Sequence, residues 1–422
     1  MGASSALAPG PAGQALRSRR SSLRAATTFA GPAFLVSVGY MDPGNWGTDL
    51  AAGSRYGYQL LWVLVAANLA ALFLQRLSAK LGIVTGKHLA QIIGEQTGAW
   101  PRRAYAALAL TAMLVTETAE FLGVVVALRL LLRLPLLAAV TLGALLVVGL
   151  LALGAHRARP LERAVFGLLG MVAVAYVVEL WLAPPPIGGV LGGLAPGLPA
   201  GALPVALGIL GAVVMPHNLY LHSGLVLDRR GDGSNPRGLL RRCTIESGVA
   251  LNLALLVNAA ILLMAASTFY GSGQEVDSLG EAHATLTPLV GPAAALAFGL
   301  ALLAAGLASS ITGGIATQYV IDGLIRINRF RSPLVRRLFA MVPATILLAA
   351  GVPEITALVW SQVILALTLP AVIIPLLLLV KSRQMMGDHA IGRPALAVGI
   401  VLTVALVGLN VVAVGQVLLG DG

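Results

Sequence analysis

Charge, aromatic rings and cysteine are all scarce in this chain, and each scarcity closes off a class of protein. Asp, Glu, Lys and Arg make up 11% of the 422 residues while 58% are hydrophobic, so a water-facing surface cannot be assembled from this composition. The single cysteine, Cys243, excludes an internal disulfide and any cysteine-cluster metal centre. Oxygen, nitrogen and thioether remain as ligands, and Cys243 itself reads as a small residue at a helix end. No polar stretch between apolar segments is long enough to bury a core of its own. There is also no nucleophile beside a base, no phosphate-binding glycine loop and no cofactor motif, which argues against an enzyme and against a resident cofactor.

What the chain has in abundance is apolar sequence. Charge-free runs such as Leu136 to Leu153 exclude a β-barrel, and a helical bundle is then the one way to satisfy every backbone group inside a bilayer. Apolar windows fall near 31–50, 58–80, 104–128, 135–155, 164–184, 203–225, 244–268, 288–322, 334–351, 355–380 and 393–419. Each approaches the roughly 20 residues that a membrane crossing needs. The expected fold class is an all-α polytopic membrane protein with eleven transmembrane helices.

The net charge of +11 has a topological explanation, so nucleic-acid binding is set aside. With eleven spans and the N-terminus inside, all of the 28 Lys and Arg residues except Arg55, Arg129 and Arg133 lie in the tail, the even-numbered loops or flanking helix ends. That is the cytoplasmic side by the positive-inside rule. Glu275, Asp277 and Glu281, and the uncharged stretch from Pro184 to Gly201, fall on the external side, as does the C-terminus. Arg17, Arg19, Arg20 and Arg24 read as a cytoplasmic tail entering a retained helix rather than a signal peptide. The expected organisation is a tail at 1–30, a first five-helix half at 31–184, an external loop at 185–202, a second half at 203–380, and a loop with the eleventh helix at 381–422. The expected location is the bacterial inner membrane, with the lipid bilayer as surroundings and no obligate protein partner.

Two spans share an oddity. Span one contains Asp42-Pro43-Gly44-Asn45 and span six contains Met215-Pro216-His217-Asn218. Each proline removes a backbone donor and pushes the preceding residue out of the helical region, so both helices should open there. Paired broken helices at corresponding places of two five-helix halves point to an inverted repeat with a binding site at the midplane.

At such a break Asp42 would cost several kcal/mol as an unpaired carboxylate and should face a partner or a cation. Asn45 adds an amide oxygen, Met215 a thioether, and the opened backbone adds carbonyls from Gly39 or Ala212. Met215 taken alone reads as core filler; beside a second broken helix it reads as a ligand. The sulfur favours Mn²⁺, Fe²⁺, Co²⁺, Zn²⁺ and Cd²⁺ over the hard ions Mg²⁺ and Ca²⁺. Gln362, next to Ser361 on span ten, is either a further amide ligand or a packing residue.

His217 and His222 are five apart and do not share a helix face. His217 reads as a proton-pathway group, and His222 as a histidine satisfied by a neighbouring helix. Glu117 and Glu120, three apart on one face of span three, read as a proton relay or as structural ion pairs with Arg336 and Arg337 at the start of span nine. Ser309, Ser310, Thr312, Thr317 and Gln318 on span eight read mainly as packing residues.

The two motifs around Asp42 and Met215, the latter running on through Leu219-Tyr220-Leu221-His222-Ser223, resemble those of the natural resistance-associated macrophage protein family of proton-coupled manganese and iron transporters. The resemblance continues through Tyr56-Gly57-Tyr58, Leu77-Ser78-Ala79-Lys80-Leu81-Gly82, Ala119-Glu120-Phe121-Leu122-Gly123, Arg336-Arg337-Leu338 and Ser361-Gln362-Val363, covering nearly all spans. It implies a leucine-transporter-like fold of eleven helices. It implies that Asp42, Asn45 and Met215 ligate the metal, with carbonyls of Gly39 or Ala212 and at some stages Gln362. It assigns Asp42, His217, Glu117, Glu120, Arg336 and Arg337 to proton movement, with Mn²⁺ or Fe²⁺ as cargo and H⁺ as coupling ion. The chain departs from the family at Glu117, where an aspartate is usual, and at Leu307, where a glutamine is usual. The added methylene at Glu117 moves the carboxylate by roughly 1.5 Å, enough to loosen a tuned ion pair. Two other functions fit the residues alone: a cation channel with Asp42 as its selectivity carboxylate, and an amino-acid or sodium symporter of the same fold.

Overall fold

The computed structural model describes residues 39–153, 174, 180–181, 184–230, 235–270, 276–282, 284, 292–325 and 333–419. The tail at 1–30, the start of span one, most of the window at 164–184 and Glu275 lie outside the described residues. Within them every regular element is a helix. In chain order these are α1 (Pro43–Tyr56), α2 (Leu61–Thr85), α3 (Leu89–Gln96), α4 (Ala99–Leu132), α5 (Leu136–Leu153), α6 (Ile187–Gly193), α7 (Leu203–Val214), α8 (Pro216–Leu225), α9 (Pro236–Thr268), α10 (Pro292–Val320), α11 (Pro333–Ala349), α12 (Glu354–Thr368), α13 (Pro370–Lys381), α14 (Arg383–Met386) and α15 (Arg393–Leu419).

Among the described residues six stretches are long and apolar enough to cross a membrane: Leu61–Thr85, Leu203–Arg229, Pro236–Thr268, Leu296–Ile325, Glu354–Lys381 and Arg393–Leu419. Ala99–Leu132 with Leu136–Leu150, bent by 119° between them, raises the number to as many as seven. Other expected spans fall short for readable reasons. The described part of span one is the 14-residue α1, and α11 has 17 residues with Arg336 and Arg337 in its first turns.

Proline sets several boundaries. Pro43, Pro216 and Pro236 each occupy a first helical position, where the missing N–H costs nothing. Asp42 and Asn235 cap α1 and α9 by accepting from backbone N–H groups at 2.8 and 3.0 Å. Both expected breaks are present. Asp42 is extended, with φ −74° and ψ 167°, and follows a single 3₁₀ turn at Gly39–Met41. Met215, between α7 and α8, has φ 45° and ψ 106°, a conformation that a side chain of this size seldom adopts. Pro370 divides the window at 355–380 in a gentler way, because Leu369 keeps helical angles there.

The interrupted helices lie at the centre. Every residue from Pro43 to Ser54 and from Pro216 to Leu225 is buried, and α1 packs on α7, α9 and α12. Around them α4 packs on α10, α11 and α12. In contrast, only 22% of the most apolar window of α15 is buried, as expected for an outer helix whose side chains meet hydrocarbon. Two of the arginines that broke the charge pattern are matched by acids: Arg55 pairs with Asp277 at 3.2 Å and Arg129 with Glu354 at 3.7 Å.

Candidate functional site

The first polar constellation is built on the two breaks. The carboxylate of Asp42 is 2% exposed and accepts from the backbone of Asn45 through Oδ1. The Asn45 side chain points into the protein with both amide atoms unpartnered. Gln362 of α12 is fully buried and gives Nε2 to Ser361 Oγ at 3.1 Å, leaving Oε1 unpartnered. Its position follows from two glycines. A Cβ on Gly44 would run into the Gln362 amide and lie 3.3 Å from Asp42 Oδ1, while one on Gly211 would run into the Gln362 backbone carbonyl. Gln362 is therefore wedged between α1 and α7, beside Asp42.

Met215 continues the α7 side of this arrangement. Its N–H donates to the Gly211 carbonyl at 3.2 Å, its side chain is fully buried, and Asn218 Nδ2 donates to its sulfur at 3.2 Å. Asn218 Oδ1 has no partner. Ala212 is buried one turn before the break, and Gly39 opens the 3₁₀ turn that leads to Asp42. Three buried amide oxygens near the breaks, on Asn45, Asn218 and Gln362, thus have no donor among the described residues. Among the described residues no three His, Cys, Asp or Glu side chains gather into a metal cluster. The donor set here is one carboxylate with amides and a thioether.

The second constellation is on α4, α10 and α11. Arg337 Nη1 lies 3.5 Å from Glu117 Oε2 and 3.9 Å from Glu120 Oε2, with all three side chains buried. Thr317 Oγ1 donates to Glu117 Oε1 at 3.1 Å. Absent side chains at Gly313 and Gly314 leave room for the Glu120 carboxylate and the Arg337 guanidinium. Arg336 reaches elsewhere: its Nη2 donates to Gln318 Oε1 at 2.9 Å, and Gln318 passes the contact on to Asp322 at 2.8 Å. Thr317 and Gln318 are therefore members of polar networks and not packing residues alone. Between the two constellations stands His217, whose Nδ1 is 3.2 Å from Thr116 Oγ1, next to Glu117 in the chain.

His222 has the neighbour-helix partner expected of it, Gln75 Oε1, at 2.6 Å from Nδ1. Gln75 in turn donates to the Tyr40 hydroxyl, and Asn258 Nδ2 donates to the Tyr40 carbonyl at 3.3 Å. This chain, which ends two residues before Asp42, was missed in the sequence, as was buried Asp49, two helical turns beyond Asp42 on the same face. The available signal was a lone amide or carboxylate inside each apolar helix.

A buried polar centre formed where two membrane helices are interrupted defines the class as an integral membrane transporter. Comparison with known proteins agrees. The model of the natural resistance-associated macrophage protein-like family matches residues 33–416. The divalent metal cation transporter MntH of Aeromonas hydrophila is 43% identical over 91% of this chain and 94% of its own, and that of Ralstonia nicotianae is 45% identical over 93% and 91%. The Eremococcus coleocola manganese transporter, solved with an aromatic bis-isothiourea substituted compound, superposes with a TM-score of 0.80 at 34% identity, covering 92% of this chain and 86% of its own. Mhp1, a nucleobase-cation-symport-1 family transporter, shares the fold alone, with a TM-score of 0.58 at 17% identity over 87% and 80%. The chain belongs to the natural resistance-associated macrophage protein-like family, a family of transporters and not of enzymes.

Proposed function

We propose that this protein imports divalent transition-metal ions, Mn²⁺ and Fe²⁺ foremost, with Cd²⁺, Co²⁺ and Zn²⁺ also accepted, by proton-coupled alternating access. The observation that carries this reading is the donor set at the two breaks: Asp42 with Asn45 on one, Met215 on the other, and Gln362 wedged between them. Carbonyls of Gly39 or Ala212 complete the shell. A single carboxylate neutralises half of a divalent charge, and the thioether offsets the advantage that abundant Mg²⁺ and Ca²⁺ would hold at an all-oxygen site. Relatives named as divalent metal cation and manganese transporters support the cargo.

Asp42 and His217 take up the proton, and Glu117, Glu120, Arg336 and Arg337 carry it onward. The contact of His217 with Thr116, beside Glu117, supports that route. Metal binding favours closure of the external side, and rearrangement of the helices on either side of Asp42 and Met215 opens the cytoplasmic side. The membrane topology in this reading has eleven spans in two inverted five-helix halves, 31–184 and 203–380, in an inner membrane with a cytoplasmic N-terminus and an external C-terminus. The 119° bend between α4 and α5 supports counting these as two crossings, since a turn past a right angle sends the chain back.

The test is Mn²⁺ uptake into proteoliposomes with an inward proton gradient and excess Mg²⁺ and Ca²⁺. Saturable, gradient-accelerated uptake is expected. Absence of Mn²⁺ entry would remove the cargo assignment, and uptake indifferent to the gradient would remove the coupling.

A further inference from the structure

A cavity of about 370 Å³ opens between α2, α8 and α9, away from both constellations. Its lining divides by chemistry: Leu69, Leu72 and Phe73 of α2 form an apolar wall, while Arg76, His222, Thr244, Ser247 and Asn252 supply polar groups. The apolar wall continues onto the outer surface, where Leu69, Leu253 and Leu256 are 62%, 54% and 67% exposed. On a membrane helix that surface faces hydrocarbon. Lys80, Arg241 and Arg242 lie at the neighbouring ends of α2 and α9, where Ala79 and Ile83 pack on Cys243. Basic helix ends of this kind sit at the level of lipid headgroups.

Arg76, His222 and Ser247 each keep a polar atom without a partner among the described residues, whereas Thr244 and Asn252 bond back to their own helix. Arg76 is exposed and has no ion-pair partner. Ser247 Oγ and His222 Nε2 are buried without partners, in side chains 7% and 1% exposed. The other neighbour of His222 places its hydrogen. Gln75 uses its amide nitrogen on Tyr40, so an oxygen faces His222 Nδ1. With the Gln75 amide in this orientation oxygen cannot donate, so Nδ1 carries the hydrogen of the neutral ring and the buried Nε2 keeps a lone pair with no protein donor among the described residues.

A ligand for this place must therefore combine an anion for Arg76, a hydrogen-bond donor for the imidazole and an apolar portion for α2. We propose that the cavity seats the headgroup of an aminophospholipid, with phosphate on Arg76, ammonium on His222 Nε2, the Ser247 hydroxyl as a further partner and an acyl chain along Leu69, Leu72 and Phe73. Because His222 is linked through Gln75 to Tyr40, the lipid stabilises the arrangement of α8 in which that chain, two residues from Asp42, is intact. The inference rests on the membrane setting of the protein and not on its cargo.

The experiment is native mass spectrometry of the purified full chain in detergent with phosphatidylethanolamine or phosphatidylcholine. One phosphatidylethanolamine is expected to be retained at about tenfold lower concentration than phosphatidylcholine, whose quaternary ammonium has no N–H to give. Arg76→Gln, at an exposed position where folding is preserved, should remove most of this retention, and Ser247→Val a smaller part. Soluble glycerophosphoethanolamine at the same concentration should displace nothing. Equal retention of the two lipids, or retention unchanged in Arg76→Gln, overturns the headgroup assignment. Displacement by the soluble headgroup overturns the lipid as occupant.

Discussion

The side-chain amide of Gln362 rests on the Cα of Gly44, so close that a Cβ at position 44 would stand 2.6 Å from Gln362 Cδ. A helix can approach another helix this closely only where one of them carries no side chain. Gln362 also places its backbone carbonyl against Gly211. The two contacts differ in what can yield, and that difference can be measured. An alanine at 44 meets the far end of a side chain, which can rotate away; an alanine at 211 meets backbone, which cannot. Gly211→Ala should destabilise by about 1–3 kcal/mol and abolish metal uptake. Gly44→Ala should unfold nearer the parent temperature while still impairing uptake, because the displaced amide leaves the site. Thermal unfolding in detergent beside uptake in vesicles checks both; equal Tm losses would contradict the packing argument.

Met215 combines a strained backbone with a proposed ligand, and two substitutions separate these properties. Met215→Ala and Met215→Gly both remove the sulfur, so both should let Mg²⁺ and Ca²⁺ compete with Mn²⁺ uptake. Glycine tolerates φ 45° and alanine does not. Met215→Gly should therefore be the more stable of the two by roughly 1 kcal/mol, the relief of strain less the extra freedom of the unfolded chain. Unchanged rejection of Mg²⁺ and Ca²⁺ in both variants would remove the sulfur from the selectivity mechanism.

Arg337 stands beside two buried glutamates, and its loss removes the guanidinium that lies within 3.9 Å of both. Arg337→Gln should cost about 3–5 kcal/mol. Arg336→Gln, at a half-buried position with an amide partner, should cost about 1 kcal/mol or less. A reversal of that order in thermal unfolding would assign the glutamate clamp to the wrong arginine.

His88 caps α3, accepting from Gln91 N through Nδ1 at 3.2 Å, and burial lowers its pKa from the ordinary 6.5. The folded state therefore holds this proton less tightly than the unfolded state. The cap's contribution is complete above pH 6.5 and is lost as pH falls from there through the depressed value. His88→Asn, a good cap at any pH, should flatten the slope of Tm between pH 5 and 7. A slope that survives the substitution would place the titration elsewhere.

Much of the fold and part of the site could be read from residue order. Pro43 and Pro216 favour their breaks locally, through a missing donor and a ring that crowds the preceding residue, although Leu369 before Pro370 keeps helical angles; at Asp42 and Met215 the local preference is realised. Glu117 and Glu120 had to share a face because they are three apart. Other features depend on which helices meet. Adjacent Arg336 and Arg337 point about 100° apart on a helix, and only packing decided that Arg337 would turn inward to the glutamates. Gln362 was an ambiguous amide in the sequence; glycines more than a hundred positions distant, Gly44 and Gly211, let it reach the break. Tyr40, Gln75 and His222 form one hydrogen-bonded chain from three separate segments. Backbone chemistry acts over a few residues and is written in their order, whereas contacts between distant segments exist only once the helices have packed.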